Sequence, residues 1–551
     1  MRCALLSIGF TAALLLAPAS LAQEHQHSHG QYSDGGTEVL GKVNFSTSCR
    51  GVDAEFTRAV ALLHSFGYEE SRRAFEAVVA KDPTCAMAYW GIAMTWYHPI
   101  WAPPNSQELA AGTAAAKKAL ELAAKTNRER GYIAAINTFY RDSDRLDHQT
   151  RAQAYSDASG LLAKQLPDDH EAQIFYALSL LGTAPPDDAS FANQKKAAAI
   201  LNALLPVEPQ HPGITHYMIH SFDYPQLAAE ALPAARAYSK IAPDSPHALH
   251  MPSHIFTRLG LWQDSITSNL ASAEAGRRLV AKRHPGAASM DTLHALDYLE
   301  YAYLQIGDEA AARKVLAEAA AAKSFDDPTF AAGHALAAIP ARFALERRDW
   351  RAAAQLEPPS ATLPWASFPY APAITYFAQA IGASRSGDLE RARSALHQLE
   401  TIHAGLQKSP ISGPYDWTQQ VESSRLAAAA WLAFAEGRKD DAVKLARAAA
   451  QLEEKAGKHP VTPSAPLPAR ELLGDMLLEM GQPAEALAAY EASLRETPNR
   501  FNSLYGAALA AERSQNPERA RALYAALLAQ CVANSPRPEL AQARKFAGRA
   551  N

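Results

Sequence analysis

Cysteine is scarce in this chain: there are four in 551 residues, and the first, Cys3, lies inside an apolar N-terminal stretch. The three that remain allow one disulfide and one leftover thiol. An excess of either charge is lacking too, with 53 Lys and Arg against 57 Asp and Glu. That balance removes the case for nucleic acid or an acidic membrane as partner. Alternation of β-branched and aromatic residues is missing throughout, which argues against sheet. Beyond the N-terminal stretch no segment is long and apolar enough to span a bilayer. Serine triads, phosphate loops and cysteine-nucleophile motifs are absent, and the reaction classes they serve lose support.

What is present is helix-forming. Hydrophobic residues make up 48% of the chain, enough for a large core, and Ala-rich runs such as 195-KKAAAILNALL-205 and 427-AAAAWLAFAEG-437 favour helix. The length fits several domains or one long repeat array. Residues 1–22 read as a secretory signal: Arg2, then the apolar 4-ALLSIGFTAALLLA-17, then small residues before Gln23. The mature chain is therefore expected in a periplasm or outside the cell. In that oxidising setting Cys49 and Cys85 are the expected disulfide, bracketing the first helical hairpin, with Cys531 left as a buried thiol. Residues 23–44 read as a flexible tail. Its 23-QEHQHSHGQ-31 is a histidine cluster that can capture Cu, Ni or Zn, or else a solvated polar segment.

Internal periodicity sets the expected fold. In 470-RELLGDMLLEMGQPAEALAAYEASLRETPN-499, Leu473-Gly474, Gly481, Ala486, Tyr490 and Pro498 fall at the spacing of a tetratricopeptide repeat, two antiparallel helices in a unit of 34 residues. Ala520 and Tyr524 repeat Ala486 and Tyr490 at that offset, and Pro209 and Pro243 are also 34 apart. Gly260, Gly307, Gly387 and Gly437 look like the turns between the helices of successive hairpins. The expectation is an all-α superhelical solenoid, one continuous right-handed stack, with an N-terminal array over 45–325 and a C-terminal array over 326–551. The proline-rich stretches 357–372 and 459–468 read as loops able to fold over the groove.

The informative segment is 211-HPGITHYMIHSFDY-224 followed by 247-HALHMPSHIFTRLGLW-262. His216 and His220 are four apart, hence one turn apart on one helix face, and His250 and His254 repeat that spacing 34 residues on. Counted back from Gly260 as repeat position 15, the pairs occupy positions 5 and 9 of adjacent first helices. In the repeat family those positions face the concave groove. The same count puts His294 at position 2 and Asp297 at position 5 of the next repeat. Histidines at i and i+4 chelate one ion through two imidazoles, and two such pairs could supply four nitrogens to one metal-sized volume. His216, His220, His250, His254, His294 and Asp297 are the candidate ligands. His211, Asp223, His247 and Arg258 are candidates to support them. Zinc, copper or iron fits this donor set, and the ion count stays open. Binding should weaken as pH falls below about 6.5, where protons compete for the rings. No glutamate lies inside either HxxxH, so the zincin protease pattern is not met.

The sequence resembles exported bacterial tetratricopeptide-repeat proteins that carry a CAMAYWG segment, here 85-CAMAYWG-91. They also carry paired HPGxxHYxIH and HMPSHIxxRxG segments, here 211-HPGITHYMIH-220 and 250-HMPSHIFTRLG-260. The resemblance covers most of the mature chain. It implies the solenoid fold and a periplasmic setting, and it carries no catalytic assignment. Two functions stay open: a scaffold that holds a metal ion and a peptide, protein or small-molecule ligand in its groove, or a metal-dependent hydrolase or oxidase built on the same cluster.

Overall fold

In this computed structural model the described residues are 38–100, 103–186, 188–327, 329–359, 363–411 and 415–548. Residues 1–22, read above as a secretory signal, and the histidines of 23–31 lie outside them. Among the described residues helices follow one another from Asp53–His64 to Pro538–Gly548, and strand is limited to one isolated bridge, Ala288 with Phe325. No helix among them is long and apolar enough to cross a membrane. The architecture is the expected all-α tetratricopeptide solenoid, with Val39–Asn551 as one unit.

The turns follow from the residues that make them. Gly260, Gly307, Gly387, Gly437 and Gly481 all carry φ between +64° and +86°, the left-handed region in which a helix C-terminus is closed at least cost by glycine. At Gly260 a side chain is also excluded by space, because a Cβ would collide with the Pro498 carbonyl.

Cys49 and Cys85 are bonded, with Cα atoms 5.0 Å apart. Residues expected to belong to a loose tail are in part docked. Leu40 and Val43 are buried, Lys42 donates its backbone N–H to the Gln210 carbonyl (2.9 Å), and Val39 N donates to Asp244 Oδ2 (2.7 Å). The apolar Leu40, Val43 and Phe45 leave water by lying along the repeats, so residues 39–44 are docked rather than loose.

The stack returns on itself, which the register alone does not reveal. Trp262 Nε1 donates to the Asn499 carbonyl (2.8 Å), Phe501 N to Gln305 Oε1 (2.8 Å) and Val532 N to the Ile306 carbonyl (2.9 Å). The closure is fixed by Arg500, fully buried, whose guanidinium reaches Glu471 (2.7 Å), Glu346 (2.5 Å) and the Tyr301 hydroxyl (3.1 Å). Replacing Arg500 by methionine should cost about 3–5 kcal/mol, because two buried carboxylates lose their counter-charge. Urea unfolding checks this, and an unchanged midpoint would show that the closure is held elsewhere.

Candidate metal centre

Three helices build the site. Pro212 occupies the first turn of Pro212–Phe222, where its missing N–H costs nothing, and the helix carries His216 and His220 on one face. Ser245 caps Pro246–His250 by accepting from Ala248 N. Pro252 interrupts the helix there, and Pro252–Arg258 continues it, so that His250 and His254 keep their one-turn spacing. Met290–Gln305 supplies His294.

The histidines form two groups rather than the single volume expected. In the first, His216 Nε2 lies 3.0 Å from His220 Nε2 and 3.0 Å from His247 Nε2. In the second, His250 Nε2 lies 3.1 Å from His254 Nε2, and the His294 ring sits 4.1 Å from the His250 ring. Within each group one ligand atom per residue lies within 4.8 Å of the others. Both groups have the same composition in repeat terms: positions 5 and 9 of one first helix, with position 2 of the next. His247, read from sequence as a supporting residue, is thus a full member of the first group. The series ends at Gly213 on one side and at Asp297 and Tyr301 on the other, which occupy the equivalent positions in the flanking repeats.

The tautomers are set by the outer ring nitrogens. His216 Nδ1 donates to the His64 carbonyl (2.6 Å), His254 Nδ1 to Asp223 Oδ2 (3.0 Å) and His250 Nδ1 to Asn269 Oδ1 (2.6 Å). The Asn269 amide is oriented by its own Nδ2, which donates to the Ser265 carbonyl (2.8 Å). With hydrogen on Nδ1, each of these rings turns an Nε2 lone pair inward. His216 is fully buried, and His250 and His254 are each 2% exposed. Burial, aided by the neighbouring rings, pushes His216, His247, His250 and His294 well below the ordinary histidine range and His220 down to about 3. The rings therefore stay neutral, the form that binds metal.

The surroundings are ordered by charge. Asp223 accepts from Arg258 Nε (2.9 Å), from His254 and from Lys458 Nζ (3.4 Å). Burial raises its carboxyl, but Lys458 and Arg258 outweigh that and hold it well below its usual range. Lys458 opens the proline-rich stretch, which does fold over the groove. His459 stacks on Phe330 (4.3 Å) and near Trp417 (5.2 Å). A cavity of about 1520 Å³ lies on the far side of Arg258 and Lys458 and is walled in part by Tyr370, Trp417 and His459. Phe66 packs against His216 (4.4 Å), His220 and His247 (5.6 Å each).

Asp297 departs from its expected place as a ligand. Its Oδ1 accepts from Arg342 Nη1 (2.7 Å), so the carboxylate is turned toward Phe330–Glu346 and neutralised there. His211 also points elsewhere. With His64 it flanks Glu171, at 3.0 and 2.9 Å. In that third His–Glu–His group both rings bond to the Glu171 carboxylate, and the buried His211 Nδ1 has no hydrogen-bond partner. Burial raises the Glu171 carboxyl, and His211 and His64 more than offset it. His64 still serves the first group, through its carbonyl. Gly213 leaves it room, since a Cβ there would meet His64 Nδ1. Sequence reasoning missed His64, Glu171 and Asn269, which have no partner at helical spacing. Their signal is only that polar residues stand on otherwise apolar helix faces.

A tetratricopeptide-repeat family model matches residues 472–536. No curated protein matches the chain. Among solved structures, a human IFIT1 dimer with m7Gppp-AAAA aligns at 14% identity over 80% of this chain and 89% of its own, with a TM-score of 0.36. The Cut9–Hcn1 hetero-tetramer of APC/C aligns at 13% over 90% and 96%, TM-score 0.29. Yeast Tom70 aligns at 12% over 90% and 95%, TM-score 0.31.

Proposed function

We propose that this protein is an exported tetratricopeptide solenoid that binds two transition-metal ions side by side, each on three histidines of its concave face. The observation that carries the reading is the pair His250 Nε2 and His254 Nε2, 3.1 Å apart with both Nδ1 hydrogens committed elsewhere. Two neutral rings so anchored present lone pairs to each other, and only a cation between them makes the contact attractive. In a buried site a bare proton on imidazole is disfavoured, which leaves a metal ion. Nitrogens about 2.0–2.1 Å from one ion stand about 2.9–3.4 Å apart at octahedral to tetrahedral angles. The separations of 3.0 and 3.1 Å fit that range.

Solenoids of this class serve as scaffolds for protein or peptide partners. The histidine strip is buried except for the half-buried His220, which favours a small ligand there over a peptide. A second reading, a metal-dependent oxidase or hydrolase, is favoured by one feature: three protein ligands per ion leave a coordination position open. The apolar segment at 4–17 supports export. Element analysis of the purified, untagged chain should find two ions of copper, zinc or iron per chain, as isolated or after reconstitution. Failure to retain any of the three would end this reading.

A further inference from the structure

We propose that the large cavity, at the end covered by Lys458 and His459, binds a small aromatic carboxylate against Tyr370 and Trp417 with its charge toward Lys458. The proposal is independent of the metal reading, because none of its residues belongs to either histidine group.

Five rings from segments far apart in sequence meet at this end. Phe330 and His334 come from Phe330–Glu346, Tyr370 precedes Ala371–Ser386, Trp417 opens Trp417–Ala435, and His459 comes from the covering stretch. Tyr370 stacks on Trp417 (3.7 Å, 19°), Trp417 on His459 (5.2 Å, 30°) and His459 on Phe330 (4.3 Å, 21°). His334, Tyr370, Trp417 and His459 all line the cavity of about 1520 Å³. Walls of nearly parallel rings favour a planar aromatic guest over an aliphatic one.

Two polar groups in this wall lack what burial demands. Both ring nitrogens of His334 (4% exposed) and the hydroxyl of Tyr370 (2% exposed) have no hydrogen-bond partner among the described residues. Asp297 Oδ2 stands 3.9 Å from His334 Nε2, beyond hydrogen-bond reach. The His334 and Tyr370 rings are 6.3 Å apart. Buried groups of this kind are costly unless a ligand completes them. A neutral imidazole and a phenol each carry one hydrogen to donate, and a carboxylate has the lone pairs to accept both.

Charge decides between the two guests an aromatic box can take, a cation or a planar anion. Arg258 and Lys458 both line the cavity and share one carboxylate, Asp223 (2.9 and 3.4 Å), which leaves one positive charge in surplus. A cation is therefore repelled, and a monoanion matches. Lys458 Nζ reaches Asp223 and the carbonyls of His459 and Pro460 only at 3.2–3.4 Å, long for a charged donor. Burial pushes this ammonium down to about 7 despite Asp223, and an anion beside it would hold the proton in place. The acids Asp147 and Asp416 on the same cavity are exposed and cap helices through Thr150 N and Gln419 N, so solvent screens them. Glu454 is paired with Arg470, and burial raises the Glu453 carboxyl to about 7.

The test titrates the full mature chain with benzoate, as isolated and again after metal removal, following heat and tryptophan fluorescence. One benzoate should bind per chain in both forms. Benzamide, which lacks the charge, should bind about tenfold more weakly or worse. Cyclohexanecarboxylate, which keeps the charge but not the flat ring, should bind roughly fivefold more weakly. Lys458→Gln should erase the preference for benzoate over benzamide, and Tyr370→Phe should keep the ring wall but hold benzoate about tenfold less tightly. No binding of benzoate, equal binding of benzoate and benzamide, or a preference for benzyltrimethylammonium would overturn the proposal. Unchanged benzoate affinity in folded Lys458→Gln and Tyr370→Phe would do the same. So would binding that disappears with the metal, since the guest would then sit on the ions. Metal content is measured separately, so each of these outcomes leaves the metal reading standing.

Discussion

Replacing His216 and His250 together by alanine should leave the chain with almost no bound metal, and each single replacement should leave about one ion. The two residues belong to different groups, and each sits at the centre of its group's contacts: His216 faces both His220 and His247, and His250 faces both His254 and His294. Losing an outer partner of a ligand weakens metal binding about 10–100-fold, and losing one of only three ligands should exceed that. The fold should survive, because in the metal-free chain these rings contribute a cluster of opposed lone pairs. The far-UV spectrum of the double variant should match that of the unaltered chain while element analysis falls to background. Undiminished metal in the double variant would sink the site, and loss of both ions in either single variant would show that the groups do not bind independently.

The register was legible because it is a property of local spacing. The offset of 34 between the two histidine pairs, the turn glycines and the closing prolines all report on one hairpin and its neighbour, and the solenoid bears them out. The division into two groups was not legible. Spacing tells which residues share a helix face, but not whether pairs on adjacent helices meet across the gap or stand side by side. Here the helices set them side by side, and each pair is completed from position 2 of the next helix by His247 or His294. Asp297 misled for a related reason: its repeat position faces the groove, but Arg342, on the following helix, turns the carboxylate away. The closure through Arg500 and the cover from Lys458 depend on contacts between residues far apart in sequence, and no periodicity encodes them. Export and the N-terminal histidine cluster rest on the sequence alone.

Lowering the pH should unfold the metal-free protein cooperatively between about 6.5 and 5. In the unfolded chain each histidine takes a proton near its ordinary value of about 6.5. In the folded chain burial, reinforced by the neighbouring rings, holds His216, His247, His250 and His294 well below that, His220 at about 3, and His254 below it despite Asp223. Above 6.5 neither state is protonated and the full stability is present. As pH falls through 6.5 the unfolded state binds protons that the folded state refuses, so stability is lost at about 1.4 kcal/mol per ring per pH unit. For the five rings held well below that value or at about 3, the loss at pH 5 is on the order of 10 kcal/mol, comparable with the whole stability of a typical domain. Bound metal stabilises the folded state further and should move the acid midpoint down. Metal release should therefore coincide with unfolding rather than follow a separate titration near 6.5, because the folded rings are not open to the proton there. Circular dichroism and metal release followed on one acid titration check this. A metal-free chain still fully helical at about pH 4.5 would contradict the linkage. So would a double variant of His216 and His250 with an unchanged acid midpoint, since it lacks two of those five rings and should gain about 4 kcal/mol relative to the parent at pH 5.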